Sequence, residues 1–162
     1  MTESLRRFIE AASVGVEQVF SRTGRLMPMF HFCSPHVGDV AMPAPPVSKD
    51  LAMTIVREVL ASVEATRVLF IDEAWTVRRY GTRDDLDKMR TMAPPSEQPD
   101  RIEVVIFSGE DIAEGDLMAQ RLIIREDGKP PRLGPLEFRE RPVYSAGRMV
   151  GLLTPAKGSK VN

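Results

Sequence analysis

Apolar residues recur along the chain with two different periods. Residues 3–21 repeat them every three or four positions, which predicts an amphipathic helix, and Gly24 is placed to end it. A second helix is predicted from Ser48, a good N-cap residue, to about Val63. The apolar stripes are Leu5, Phe8, Ile9, Ala12, Val16, Val19 and Phe20 in the first helix, and Leu51, Ile55, Val59 and Val63 in the second.

Several shorter segments have the composition and alternation of strands. Residues 67–77 carry apolar side chains on both faces, which predicts a central strand. Residues 81–100 form a polar interlude with one short helix predicted at 84–92, before prolines that impose an irregular connection. The other predicted strands are 26–33, 40–42, 102–107, 117–125 and an edge strand at 133–138, with 108–116 as a hairpin loop.

This order of elements predicts an α+β fold. We expect a mixed or mostly antiparallel sheet of about five to six strands with both helices packed on one face. If strands 26–33 and 67–77 are parallel, a right-handed crossover joins them and their carboxyl ends share one edge of the sheet. Residues 1–154 are expected to form a single domain and residues 155–162 a flexible tail.

Composition narrows the classes of function. Of 162 residues, 43% are hydrophobic and 28% charged, a globular balance. Lys plus Arg total 22 and Asp plus Glu total 23, so the chain is close to neutral. Its net charge therefore does not favour binding to nucleic acid or to an anionic membrane. The single cysteine excludes an internal disulfide, and residues 1–20 lack the apolar core of a signal peptide, so we expect a cytoplasmic protein.

One group of residues has the chemistry of metal ligands. His31 and Cys33 alternate onto one face of a predicted strand, and the following turn can return His36 toward them. Imidazole and thiolate bind zinc, and Asp39 can add an oxygen, so zinc is the candidate metal. The alternative interpretation is a small buried thiol beside two polar turn residues, since free cysteines are usually buried and inert.

A second group lies in the central strand. Asp72 and Glu73 point to opposite faces, so one of them interrupts an apolar face wherever the core lies. A buried carboxylate with a perturbed pKa is typical of functional sites, and Glu73 is the candidate general base. The alternatives are an ion pair with Arg78, Arg79 or Arg121, or exposure of both acids to solvent.

The middle of the chain resembles a group of small uncharacterised proteins from bacteria and their phages. The likeness rests on three motifs between residues 69 and 111: Glu-Ala-Trp at 73–75, Pro-Ser-Glu-Gln-Pro-Asp-Arg-Ile-Glu at 95–103 and Glu-Asp at 110–111. That group has no assigned activity, so the resemblance implies no catalytic role. The positions it marks for inspection are Glu73, Trp75, Pro99, Asp100 and Arg101.

Three hypotheses about function follow. The first is a non-enzymatic module that binds another protein or associates with itself, because no complete catalytic motif is present and the edge at 133–138 can pair with a second chain. The second is a metal-dependent hydrolase with His31, Cys33 and His36 as ligands and Glu73 as the base that activates water. The third, and the least favoured, is nucleic-acid binding through the mildly basic residues 131–162.

Overall fold

The computed structural model describes residues 3–76, 97, 99, 101–139 and 151–153. The elements are helices α1 (Leu5–Thr23) and α2 (Lys49–Ser62) and strands β1 (Met29–Ser34), β2 (Gly38–Pro43), β3 (Arg67–Thr76), β4 (Ile102–Asp111), β5 (Gly115–Ile124), β6 (Arg132–Leu133) and β7 (Glu137–Arg139). The short helix predicted at 84–92, Asp100 and the tail predicted at 155–162 lie outside the described residues. No helix in the described ranges is long and apolar enough to cross a membrane.

Local sequence signals set the helix ends: Ser48 and Gly24 act as predicted, whereas Ser4, inside the predicted range 3–21, is the N-cap of α1. Ser4 and Ser48 accept hydrogen bonds from the backbone N–H groups of Arg7 and Leu51, which caps both helices at their amino ends. Gly24 has a φ of 69° and donates its N–H to the carbonyl of Phe20, ending α1 in a left-handed turn.

The sheet is antiparallel and open, with the strand order β2-β1-β3-β4-β5-β6, and β7 also pairs with β5. This confirms the α+β class. The hairpin between β4 and β5 is tighter than predicted, because β4 continues to Asp111 and β5 begins at Gly115. The predicted edge strand at 133–138 is present as two short strands, β6 and β7.

The two helices cover opposite faces of the sheet, so the prediction that both lie on one face is wrong. α1 packs on Leu69 and Ile71 of β3, whereas α2 packs on Val68 and Phe70. Neighbouring residues of a strand point to opposite faces. The apolar run of β3 therefore needs a cover on each side, and each helix supplies one.

Strands β1 and β3 are antiparallel, with Cys33 opposite Arg67 and Met29 opposite Ile71. The conditional prediction of a parallel pair with a shared carboxyl edge is therefore wrong. The β1–β2 hairpin reverses the chain before α2 begins, so β2 and β3 are the parallel strands and β1 lies between them. The carboxyl ends of β1 and β3 consequently lie at opposite edges.

Two buried arginines fasten α1 to the sheet. Arg67 pairs with Asp111 and Glu114 at 2.7 and 3.1 Å and donates to the carbonyl of Glu3, just before α1, at 2.8 Å. Arg121 donates to Glu17 at 2.7 Å and to the carbonyl of Gly134, so it pairs with neither Asp72 nor Glu73. Buried guanidinium groups need such partners, and these pairs fix the position of α1 across β4 and β5.

Glu110 fastens the C-terminal described segment to the other face. Its carboxylate is buried and accepts the backbone N–H groups of Leu152 and Leu153, each at 2.9 Å. Leu152 is buried in the cluster under α2. Residues 151–153 therefore belong to the α2 side of the molecule.

Candidate binding groove beside the first helix

α1 covers only part of its face of the sheet. The fully buried residues that pack with α1 lie on β3, β4, β5 and β6, and β1 adds the partly buried Met29 and Cys33. On the same face, β1 presents Met29 and His31, and β2 presents Ala41 and Pro43 directly opposite them. The two β2 side chains are exposed and the two β1 side chains half-buried, so this half of the sheet lies open beside the helix.

The open half and the flank of α1 enclose a groove of about 970 Å³. Its floor is formed by the β1 and β2 side chains together with Ile71 of β3. We call this feature the α1 groove. Its lining is overwhelmingly apolar, and its size is that of cavities that bind drug-sized molecules or peptide segments.

The wall of the α1 groove is a stripe of small and apolar residues along α1. Phe8, Ala12 and Val19 fall at helical spacing with Ala11 and Gly15 between them, and all five line the groove. A Cβ atom built at Gly15 would meet nothing within 4 Å. The packing of the described chain therefore does not require glycine at this position.

The chain that leaves α1 closes one end of the groove. Leu26 is buried and donates its N–H to the carboxylate of Glu73, which fixes the path from Gly24 to β1. Met27 follows with 72% of its surface exposed, and Val19 of the last helical turns is 49% exposed. Large apolar side chains at this end therefore face solvent.

Charged residues lie at the two ends of the groove. Glu3 and Asp39 line it where α1 begins, and Arg25 lines it beyond the end of α1. His31 is the polar group of the floor, with its ring 4.6 Å from the ring of Phe8. Burial lowers the pKa of His31, which outweighs the opposing effect of Asp39, so the imidazole is neutral at neutral pH.

The residues predicted as metal ligands do not form a cluster. His31 and Cys33 do share one face of β1, as predicted. The Nε2 atom of His36, however, lies 2.9 Å from Glu64, which follows the helix on the opposite face. No group of three or more potential ligands is found among the described residues.

Cys33 has the chemistry of a protonated thiol. Burial raises its pKa to about 12, helped by a hydrogen bond to Asp39, and Arg67 opposes the shift. Metal binding and nucleophilic attack both require the thiolate. The environment of Cys33 therefore fits the alternative interpretation of an inert thiol.

Glu73 lies far from the predicted ligands. Cys33 is paired with Arg67, and Glu73 follows Arg67 by six positions along β3, which is about 20 Å of extended strand. The carboxylate of Glu73 is instead engaged by the N–H of Leu26. The structure does not bring together the base and the ligands that the hydrolase hypothesis requires.

The remaining marked positions lie near the end of β3. Burial raises the pKa of Asp72 most strongly, while a hydrogen bond from the Glu73 N–H and the charge of Lys49 oppose the shift. Trp75 is 43% exposed, and the Arg101 guanidinium lies 4.7 Å from the centre of its ring. Pro99 is an exposed turn residue. Trp75 and Arg101 therefore form a cation–π pair at this end of β3.

Comparisons with family models, with curated proteins and with solved structures found no significant match. The interpretation of function therefore rests on the geometry of the chain itself.

The apolar stripe of α1 predicts that Ala12 and Val19 both pack against the sheet. Ala12 is half-buried against the core, whereas Val19 is 49% exposed. Two features of the sequence indicate an additional exposed flank on α1. Gly15 lies in the middle of the helix, and the apolar arc around α1 is wider than the arc that one packed face occupies. Only the lateral position of α1 over the sheet reveals that one flank of this arc is open.

Proposed function

We propose that this protein is a non-enzymatic binding module whose α1 groove takes up an amphipathic helix of a partner protein. The observation that carries the proposal is the open apolar half of the sheet beside α1. The single cysteine and the absence of an internal disulfide favour the cytoplasm as the site of action.

The dimensions of the groove suit a helix. Its floor is two strands wide, which is about 10 Å, and an α-helix with its side chains is about 10–12 Å across. Along α1, the lining from Phe8 to Thr23 spans fifteen residue steps, about 22 Å. A partner helix of about four turns would therefore extend the helical layer across the rest of this face.

The chemistry of the groove suits the apolar face of such a helix. Leu, Ile, Phe or Met side chains at positions i, i+3, i+4 and i+7 would lie over the floor residues Met29, Ala41 and Ile71. The neutral imidazole of His31 adds no charge there. Glu3 and Asp39 at one end and Arg25 at the other would contact the polar termini of the bound segment.

Gly15 supports the same conclusion. Glycine within a helix costs about 1 kcal/mol relative to alanine. No atom of the described chain would obstruct a Cβ atom at this position. Together with Ala11 and Ala12, the absence of a side chain at Gly15 lets a second backbone approach α1 closely, as small residues do at tight helix crossings.

Site-specific photo-crosslinking tests the proposal. A photoreactive amino acid is placed at Val19, on the rim of the groove, and in a separate variant at Leu51 on the opposite face. The two positions are matched, because both are apolar helical residues with 49% and 50% exposure. We expect a crosslink from Val19, and none from Leu51, to a peptide with helical apolar periodicity.

A synthetic peptide of the crosslinked segment then provides the decisive measurement. It should bind the unmodified protein, become helical on binding, and lose binding to a Gly15→Arg variant that remains folded. Equal crosslinking from both positions would contradict the proposal. The proposal would also be contradicted if the peptide bound the Gly15→Arg variant with the affinity of the parent protein. It would be contradicted as well if the purified protein carried a small apolar molecule, and no protein, in the groove.

A further inference from the structure

Strand β2 forms one edge of the sheet, and its hydrogen-bonding pattern can be derived from one bond. Ala44 donates its N–H to the carbonyl of Pro28. Opposed residues of an antiparallel pair exchange hydrogen bonds at every second position, so Met42 and Val40 bond to β1 as well. The intervening residues Asp39, Ala41 and Pro43 therefore direct their backbone groups away from β1, where the described part of the chain offers them no strand.

We propose that this edge pairs with the same edge of a second copy, antiparallel and about a two-fold axis at Ala41. In this register each Ala41 donates to and accepts from the Ala41 of the other copy. Each Asp39 N–H donates to the carbonyl of Pro43 of the other copy. Pro43 has no N–H to offer, but it lies at the last position of the strand, so one donor is lost at each end of the paired strands.

Side chains on both faces agree with this register. On the α2 face, Val40 lies opposite Met42 of the other copy, and both are half-buried at the margin of the apolar cluster under α2. On the α1 face, Asp39 lies beside Pro43 of the other copy, so no like charges meet. The edge is therefore complementary to itself, which is what a two-fold interface requires.

The shortness of β2 also limits the registers in which the two copies can pair. β2 has six residues and ends at Pro43, beyond which the chain continues into Pro45 and Pro46. Centring the pair on Val40 would leave Pro43 outside the paired stretch, and centring it on Met42 would leave Asp39 outside it and set Pro43 opposite Ala41, whose carbonyl needs an N–H. The pairing centred on Ala41 is the register that places all three outward positions of each copy opposite an outward position of the other copy.

Pairing of this kind joins the two α1 grooves. Asp39, Ala41 and Pro43 line the groove in each copy, so the second copy continues the floor beyond its open side. A cleft results with an α1 helix along each wall and the paired β2 strands along the centre. The dimer stands on the backbone pattern alone and does not depend on the identity of the groove occupant.

Disulfide trapping tests the register. In a Cys33→Ser background, Ala41→Cys introduces the only thiol of the chain. Opposed hydrogen-bonded residues have Cα atoms about 5.5 Å apart, within the range of a disulfide. We expect Ala41→Cys to form a covalent dimer under mild oxidation. Asp39→Cys is the matched control, because the two copies of that position would be about 14 Å apart and should remain unlinked.

Sedimentation of the full chain tests the association itself. The interface is small, so a reversible dimer is expected only in the higher micromolar range. Ala41→Pro removes the outward N–H without touching a bond to β1 and should yield a monomer, whereas Ala41→Ser keeps the N–H and should dimerise like the parent chain. Circular dichroism establishes that both variants are folded.

Three outcomes would overturn the proposal: a parent chain that is monomeric at every concentration, an Ala41→Cys variant that does not crosslink, or a folded Ala41→Pro variant that dimerises as before. These outcomes are separable from a failure of the groove proposal. Binding of the partner peptide is measured separately on the parent chain at low micromolar concentration, below the range in which the dimer is expected, so the two proposals can fail independently.

Discussion

Gly15→Ala should make the protein more stable. Gly15 lies within the nineteen residues of α1, and the added Cβ atom would meet nothing within 4 Å. The substitution therefore restricts the unfolded chain and favours the helix without a steric penalty. The expected gain is about 1 kcal/mol in the free energy of unfolding, which raises the Tm of a chain of this size by about 2–4 °C.

The same substitution at Gly109 provides a control of opposite sign. A Cβ atom there would lie 3.0 Å from Leu5 Cδ1, 3.2 Å from Ile9 Cδ1 and 3.3 Å from the carbonyl oxygen of Leu117. Gly109 is buried beneath α1, so the side chains of Leu5 and Ile9 or the helix itself would have to shift. We expect Gly109→Ala to destabilise the fold by about 1–3 kcal/mol.

Urea denaturation and thermal melting measure both changes. The urea midpoint should rise for Gly15→Ala and fall for Gly109→Ala, with the same dependence of the free energy on urea concentration in all three proteins. If Gly15→Ala were neutral or destabilising, a contact within the chain would require glycine there. The reasoning that assigns Gly15 to a partner would then be refuted.

The functional consequence has the opposite direction. The methyl group that stabilises α1 would occupy the space into which a partner helix must pack, so Gly15→Ala should bind the partner peptide more weakly. A substitution that raises stability and lowers binding is expected where a residue is retained for function. Equal gains in stability and binding would argue against close helix packing at Gly15.

Two further predictions concern ionisable groups. Burial raises the pKa of Asp72 above its value in the unfolded chain, so the folded state binds the proton more tightly. The stability that this protonation contributes is therefore lost as the pH rises from the ordinary aspartate range through the raised pKa. Asp72→Asn should therefore be more stable than the parent at pH 7 and lose that advantage below about pH 4, as followed by urea denaturation across pH. Asp111→Asn should lower the free energy of unfolding by about 3 kcal/mol in urea denaturation, because it leaves the buried Arg67 with a weaker partner. An unchanged urea midpoint would show that Glu114 alone suffices to pair with Arg67.

Much of the architecture was predictable because it depends on local signals. Ser48 and Gly24 mark helix ends through their own hydrogen bonds and backbone angles, whatever lies nearby. The alternation of His31 and Cys33 onto one face of a strand follows from the two-residue period. These features need no knowledge of where the elements pack.

The candidate site was less predictable because it depends on distances between elements. His31, Cys33 and His36 are close in sequence, but the turn after β1 directs His36 toward Glu64. Glu73 was expected to share an edge with the ligands, and the antiparallel pairing of β1 with β3 separates them instead. Neither relation is encoded in the spacing of the residues involved.

The sequence by itself determined the α+β class, the helix-end signals at Ser48 and Gly24 and the apolar character of both faces of β3, since the run Val68–Ile71 leaves neither face polar. The tertiary structure decided which helix covers which face and how far each cover extends. α1 is one helix wide and is held over β4 and β5 by contacts that include the Glu17–Arg121 ion pair, so it leaves β2 uncovered and β1 only partly covered on its side. The α1 groove arises from this mismatch between the width of one helix and the width of the sheet, a quantity that no single segment of the sequence contains.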